Sequence, residues 1–366
     1  MEAASYFFTD YETSRNHFQT RLFDMKKKWP KASHQQWFSG NQNEDNSTDI
    51  LLADSLKSTE KLLIITTGLH GIEGYAGSAG LNLFLDEIMN YLNPSTTGIR
   101  LIHAVNPWGM KHFRRVTKGN IDLNRNFHRI WAEITGHCPE IYSKNNELFL
   151  LDKLENVNSA KIEKKLTLDY SESELKKLKN FPEGQHRHAH GLYYGGITLN
   201  KKAQQLAIAF SEWAQNYEEI LHIDLHTGGG PKNKLTMIFS ENDPRTEDQL
   251  RADIHFPLVS KAEALLSLGA STARLQEFLQ NTYPEKKITS SVFEMGTVKE
   301  DLSGYKFVSS TMILENYFYW NENLTEEAKN RFFHLFYPAS TDWQHAYLRE
   351  SYKAMLALLS SEGFIN

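Results

Sequence analysis

The stretch KLLIITTGLHGIEGYAG, Lys61 to Gly77, divides into two halves. Its opening residues are near-continuously apolar, the pattern of a strand covered on both faces. Its second half carries one histidine and one glutamate, His70 and Glu73, three positions apart among glycines. A polar turn closing a strand is the plain reading. Half of a metal site is the sharper one, because both side chains are metal ligands and residues spaced by three can point the same way. On this second reading the glycines make a flexible turn that lets the pair converge. The rest of the chain decides between the two.

Four more short apolar runs read as buried strands: Arg100 to Val105, Ile220 to Leu225, Leu235 to Phe239 and Ser291 to Phe293. Helical spacing fills Gly80 to Leu92, Ala203 to Tyr217 and Phe256 to Leu268. Strands alternating with helices predict an α/β fold, with a sheet between helical layers. Residues 140–180 differ, being rich in Lys, Glu, Asn and Ser, and read as a charged surface insertion with some helix. After Asn321 the chain is helical and aromatic, which suits extra helices packed on the core. No linker composition separates these pieces. One elaborated domain over residues 1–366 is expected, with its motifs in 61–298 and a helical extension over 308–366.

Composition narrows the function classes. The 366 residues carry a net charge of −5, so nothing favours a nucleic-acid or membrane-surface partner, both of which usually need a basic excess. Hydrophobic residues make up 40%, enough for a substantial core, yet no apolar run approaches the length of a membrane span. The single cysteine, Cys138, rules out a disulfide within the chain. The first residues lack a basic segment followed by an apolar one, so a cytoplasmic location is the expectation.

Polar clusters follow several of the predicted strands, and open α/β sheets gather ligands at the carboxyl ends of their strands. His70 and Glu73 follow the first strand. Asp122-Leu123-Asn124-Arg125-Asn126 lies downstream of the second, His226 ends the strand in "ILHIDLHTGGG", and Glu294 sits in "SVFEMGT". Each is weak alone: a histidine at a strand end is often a satisfied core residue, and the pair Arg114-Arg115 could be a solvated basic face. Jointly they are harder to dismiss. Glu294 lies between Phe293 and Met295, where a buried carboxylate is costly without a partner.

The ordered set "HGIEG", "FRRVTKGNIDLNRNF", "HIDLHTG" and "FEMGT" resembles the zinc carboxypeptidase (M14-type) superfamily and its aspartoacylase and succinylglutamate desuccinylase relatives. Within it, the chain looks closest to the branch called DUF2817. The resemblance implies a three-layer α/β/α fold with a mixed central sheet and one zinc ion per chain. It implies that His70, Glu73 and His226 are the zinc ligands and that Glu294 is the general base. It assigns Arg114 to the oxyanion, with Arg115 the adjacent alternative, and Asn124 and Arg125 to the substrate's terminal carboxylate. Asp122 would orient the first histidine.

The expected activity is hydrolysis of an amide bond next to a free carboxylate, carboxypeptidase-like, on a small peptide. An N-acyl amino acid deacylase is the alternative, and a catalytically silent binding protein with the same fold a second one. Three features fall outside the motifs. The substrate-contacting tyrosine of the carboxypeptidases has no clear counterpart, Tyr283 being the nearest candidate. The loop "GLYYGG" is expected at the rim of the site, with Tyr194 touching substrate. His186, His188 and His190 alternate, which would put them on one face of a strand and could make a second metal site, although an exposed His-rich turn accounts for them as well.

Overall fold

The computed structural model describes residues 5–38, 46–127, 131–140, 142, 146–150, 157–180, 184–262, 270–321 and 325–365. Its centre is a mixed sheet of strands β1 (Ser33–Phe38), β2 (Ser47–Ala53), β3 (Lys61–Thr67), β4 (Thr97–His103), β5 (Glu219–Thr227), β6 (Leu235–Phe239), β7 (Val259–Lys261) and β8 (Lys287–Met295). They lie in the order β1-β2-β4-β3-β5-β8-β6-β7. The run β4-β3-β5-β8 is parallel, while β1, β2 and β6 pair antiparallel to their neighbours β2, β4 and β8.

Alternation along the strands builds two cores. Leu63 and Ile65 of β3, with Leu221, Ile223 and Leu225 of β5, face the helices Gly74–Leu83 and Thr341–Ser361. Leu62 and Ile64 face the other way, onto Leu206 and Phe210 of helix Lys201–Ala214 and Leu275 and Leu279 of helix Ser271–Thr282. The expected helix–sheet–helix layering and mixed sheet are therefore present. A third apolar cluster joins helices Leu302–Asn321 and Glu326–Phe336 to Ile162 and Leu166 of helix Ser159–Asp169 and Leu175 of helix Glu172–Asn180. The charged insertion is thus amphipathic where it is described, and it packs against the C-terminal extension.

Several boundaries differ from the sequence expectation. The helix expected at Gly80 starts at Gly74, directly after Glu73, and every residue of its first ten is buried. The helix expected over Phe256 to Leu268 is not formed where the chain is described. Val259–Lys261 pairs beside β6 as a short edge strand instead, and residues 263–269 lie outside the described residues. Its apolar spacing reflects one buried edge position, Val259, followed by half-buried ones. The strand expected at Ser291 begins at Lys287, because its first half is masked by serine and threonine that pair on a buried strand. Among the described residues, no helix is long and apolar enough to cross a membrane.

Candidate metal centre

The turn after β3 is buried and closely packed. Gly71, Ile72 and Glu73 form a buried 3-10 turn, and the glycines serve close packing. A Cβ on Gly71 would stand 2.2 Å from the carbonyl carbon of Gly109. That contact lets the turn dock on the segment carrying both arginines: the Gly71 N–H donates to the Arg115 carbonyl at 3.2 Å and the Ile72 N–H to that of Arg114 at 2.9 Å. The same segment is held from behind by "NPWG". Asn106 caps the helix Pro107–Lys111 through the Gly109 N–H at 3.0 Å, and its amide donates to the Val116 carbonyl at 3.0 Å.

His70, Glu73 and His226 meet at one carboxylate. His70 Nδ1 lies 2.8 Å from Glu73 Oε1, and His226 Nδ1 lies 2.9 Å from Glu73 Oε2. One ligand atom from each of the three falls within 4.8 Å of the others, and this is the one such group among the described residues. Both histidines turn the same nitrogen toward the centre and rest the other on an aspartate. His70 Nε2 is 3.1 Å from Asp122 Oδ1, and His226 Nε2 is 2.9 Å from Asp224 Oδ2. All five side chains are at least 95% buried. Burial would raise the Glu73 carboxyl, but the two imidazoles beside it hold it well below the usual carboxylate range. Burial likewise opposes ionisation of Asp122, and Arg115, Arg125 and His70 overcome it.

"DLNRNF" splits by face. Leu123 and Phe127 sink into the core beside Ile64 and Phe210. Asn124 and Arg125 line a cavity of about 300 Å³ that also contains His70, Glu73, His226 and Glu294. The Asn124 side-chain oxygen accepts from the Ser271 N–H at 3.1 Å, and Arg125 Nη1 donates to the Asn124 carbonyl at 3.1 Å. Asn126 ties this turn to the glycine loop, donating to the Gly195 and Thr198 carbonyls at 2.7 and 3.0 Å.

Glu294 pairs in register with His226 on the adjacent parallel strand, so both face the cavity. Its Oε1 accepts the Gly229 N–H at 2.7 Å. Burial first, and then the negative charge of Glu73, raise its carboxyl above the ordinary value.

Three expected positions, Arg114, Tyr194 and Tyr283, come out differently. Arg114 turns away from the cavity. Its Nε lies 3.2 Å from Glu315 Oε1, its Nη2 donates to the Glu315 carbonyl at 2.9 Å, and its guanidinium sits 4.5 Å from the centre of the Tyr319 ring. Arg115 is the arginine that lines the cavity, paired with Asp122. Of two adjacent arginines, the backbone of this turn can aim one inward and one outward. In the glycine loop the neighbours are likewise exchanged. Tyr193, at a left-handed φ of 54°, lines the cavity, whereas Tyr194 contributes its carbonyl to the Asp122 N–H at 2.8 Å. Tyr283 ends helix Ser271–Thr282 and donates to the Ser211 carbonyl at 3.0 Å, tying that helix to helix Lys201–Ala214.

The three alternating histidines do not converge. His186 Nδ1 lies 2.6 Å from the Gly196 carbonyl, His188 stacks on Tyr142, and His190 packs on Trp320. They occupy turns rather than a strand, so the spacing carries no common face.

Two contributors lie outside the sequence expectations. Asp224 sits inside an apolar strand, where His222, Asp224 and His226 alternate and so share a face. The C-terminal helices wall the cavity with Val308, Met312, Leu335 and Phe336, which no local motif announces.

No curated protein matches the sequence. Among solved structures, the chain is similar to carboxypeptidase A from Helicoverpa armigera, at 11% identity and a TM-score of 0.46, covering 88% of this chain and 73% of that one. It is similar to a metallo-carboxypeptidase from Burkholderia cenocepacia, at 13% identity and a TM-score of 0.41, covering 84% and 69%. It is also similar to the succinylglutamate desuccinylase from Chromobacterium violaceum, at 15% identity and a TM-score of 0.38, covering 80% and 72%. The model of one family, described as a protein of unknown function (DUF2817), matches residues 7–350, and the chain belongs to that family.

Proposed function

We propose that this protein is a zinc-dependent hydrolase of an amide bond that lies next to a free carboxylate. The observation that supports it most is the meeting, in one cavity, of a His–Glu–His donor set, the buried carboxylate of Glu294 and the Asn124-Arg125 pair. The donors suit zinc. A catalytic zinc takes three nitrogen or carboxylate ligands and keeps a position open, and each histidine here has its remote nitrogen on a carboxylate, which leaves Nδ1 for the metal. Bound by His70, Glu73 and His226, zinc would supply Lewis acidity to the scissile carbonyl and to a water.

The chain's own groups divide the remaining work. Glu294 takes the proton of the attacking water and delivers it to the leaving nitrogen, a task suited to a carboxyl whose pKa is raised by burial. Arg115, anchored on Asp122, faces the developing negative charge on the carbonyl oxygen. Arg125 holds the substrate carboxylate, since its planar fork can give two parallel hydrogen bonds, with Asn124 beside it. At about 300 Å³ the cavity is at the small end of ligand pockets, which favours a dipeptide or an N-acyl amino acid over a long peptide.

The test is zinc-loaded enzyme on dipeptides and N-acyl amino acids, each with its carboxylate free or amidated. Hydrolysis that falls at least about 100-fold on amidation is expected, in line with the loss of a charge-assisted pair. Equal rates on both forms would remove Arg125 from its role, and no hydrolysis of any member would contradict the proposal.

A further inference from the structure

Behind His226 runs a buried chain of hydrogen bonds. On β5, His222, Asp224 and His226 alternate and so present the same face. Thr66 of β3 stands opposite Asp224 in the parallel register. Its Oγ1 donates to Asp224 Oδ1 at 2.7 Å, and His222 Nε2 lies 2.8 Å from the same hydroxyl. Thr272, from helix Ser271–Thr282, donates its hydroxyl to Asp224 Oδ2 at 3.1 Å, beside the 2.9 Å contact with His226 Nε2. His222, Asp224, Thr66 and Thr272 are all at least 95% buried.

The chemistry gives this chain a direction. A threonine hydroxyl has one proton, and next to a carboxylate it is spent on Asp224. His222 Nε2 must then donate to the Thr66 oxygen. That assignment leaves His222 Nδ1 as a bare acceptor, and Nδ1 is the nitrogen of that ring without a hydrogen-bond partner. A buried N–H left orphaned would cost more than an orphaned lone pair, so the order His222 to Thr66 to Asp224 is the favoured one. Burial also pushes His222 down to about 4, so it stays neutral and keeps this single-donor form. Asp224, thus oriented, receives its other proton from His226 Nε2. The lone pair of His226 Nδ1 is then aimed at the metal position.

We infer that Thr66 and Asp224 are positioning residues for the metal ligand His226, fixing its tautomer and ring orientation through a directional hydrogen-bond chain that starts at His222. This rests on the zinc reading above. The contrast with His70 supports a built device. Its aspartate, Asp122, is oriented by the charged Arg115, whereas Asp224 is oriented by hydroxyls alone apart from the imidazole it serves. Removing one hydroxyl should therefore be felt at the metal.

The experiment is zinc affinity of the full-length protein, measured by competition with a fluorescent chelator, for wild type, Thr66→Val, Thr66→Ser and Asp224→Asn. Apo-protein melting temperature is recorded for each. Partners of metal-ligating histidines commonly change metal affinity by about 10–100-fold. Asp224→Asn is expected within that range and Thr66→Val near its lower end. Thr66→Ser, which keeps the donor, should bind as wild type does. A merely structural role would move the melting temperature while zinc affinity stayed at the wild-type value, and would not distinguish Ser from Val by hydrogen bonding. Unchanged affinity in Thr66→Val, or equal losses in Thr66→Ser and Thr66→Val, would overturn the inference while wild-type zinc binding stands. Wild-type protein that takes up no zinc would overturn both the inference and the hydrolase reading.

Discussion

The two sides of the cavity are built from different physics. The side formed by His70, Glu73 and His226 stands on strand ends and is fixed by directed bonds, with each imidazole held between two carboxylates. A second part of the lining, Val308, Met312, Leu335 and Phe336, comes from two late helices and is held mainly by apolar packing. Directed bonds tolerate almost no change of chemistry, because a buried group that loses its partner bears the full desolvation cost. Apolar walls tolerate a change of shape if volume is kept. The difference predicts that isosteric substitutions will be severe on the first side and mild on the second.

The largest expected effect comes from Glu294→Gln, which keeps the shape and removes the base. Turnover should fall by about 10²–10⁴-fold with zinc content unchanged. Steady-state kinetics beside elemental analysis would show it, and wild-type turnover in this variant would take Glu294 out of the chemistry. Next is the arginine pair. Arg114→Ala leaves Glu315 buried without its cation, and removing one partner of such a pair costs about 3–5 kcal/mol. Denaturant unfolding should register that loss. Arg115→Ala takes the cation from buried Asp122 and should lower stability too, but it should also lower kcat/KM, which the folded fraction of Arg114→Ala keeps; the reverse pattern in kcat/KM would restore Arg114 to the site.

A pH effect of intermediate size follows from His103, which is fully buried against Ser14 and Phe18. Burial pushes its imidazole down to about 4. Between the ordinary value near 6.5 and that figure, the unfolded chain binds a proton that the folded one refuses. Stability of the metal-free protein should therefore be complete above about pH 6.5 and be lost as pH falls toward 4, by roughly 3 kcal/mol for this residue. His103→Gln should flatten that part of the profile, and an unchanged slope would refute the assignment. The smallest effect belongs to the apolar wall. Met312→Leu should cost less than about 1.5 kcal/mol in stability and alter KM among substrates of different acyl length more than kcat. A collapse of turnover in this variant would place the wall inside the chemistry.

The same division governs what can be read from the chain. β3 and β6 are legible almost residue for residue, since each run is only 7 or 5 residues long, short for a helix, and carries β-branched Ile and Thr. The convergence of His70, Glu73 and His226 is only suggested by their places near strand ends, and it is the family resemblance that implies it. The edge strands β1 and β7 are not legible, being half-exposed or short. Nor can a sequence say which of Arg114 and Arg115, or of Tyr193 and Tyr194, turns inward. In an irregular turn that choice is made by contacts distant in sequence, such as Glu315 with Arg114 and Leu178 with Tyr193. Asp224 carries a readable signal: polar residues at 222, 224 and 226 repeat with the period of a strand, inside a run otherwise apolar. The walls from the C-terminal helices carry none, because apolar residues on a helix do not declare which surface they cover.

Metal content decides most directly whether this cavity is a zinc centre. Protein purified without an affinity tag, as wild type and as His70→Ala, can be compared by elemental analysis after dialysis against trace zinc. About one zinc per wild-type chain, absent from His70→Ala, is expected of a three-ligand site. Zinc absent from both, or retained undiminished in the variant, would contradict the assignment of His70, Glu73 and His226.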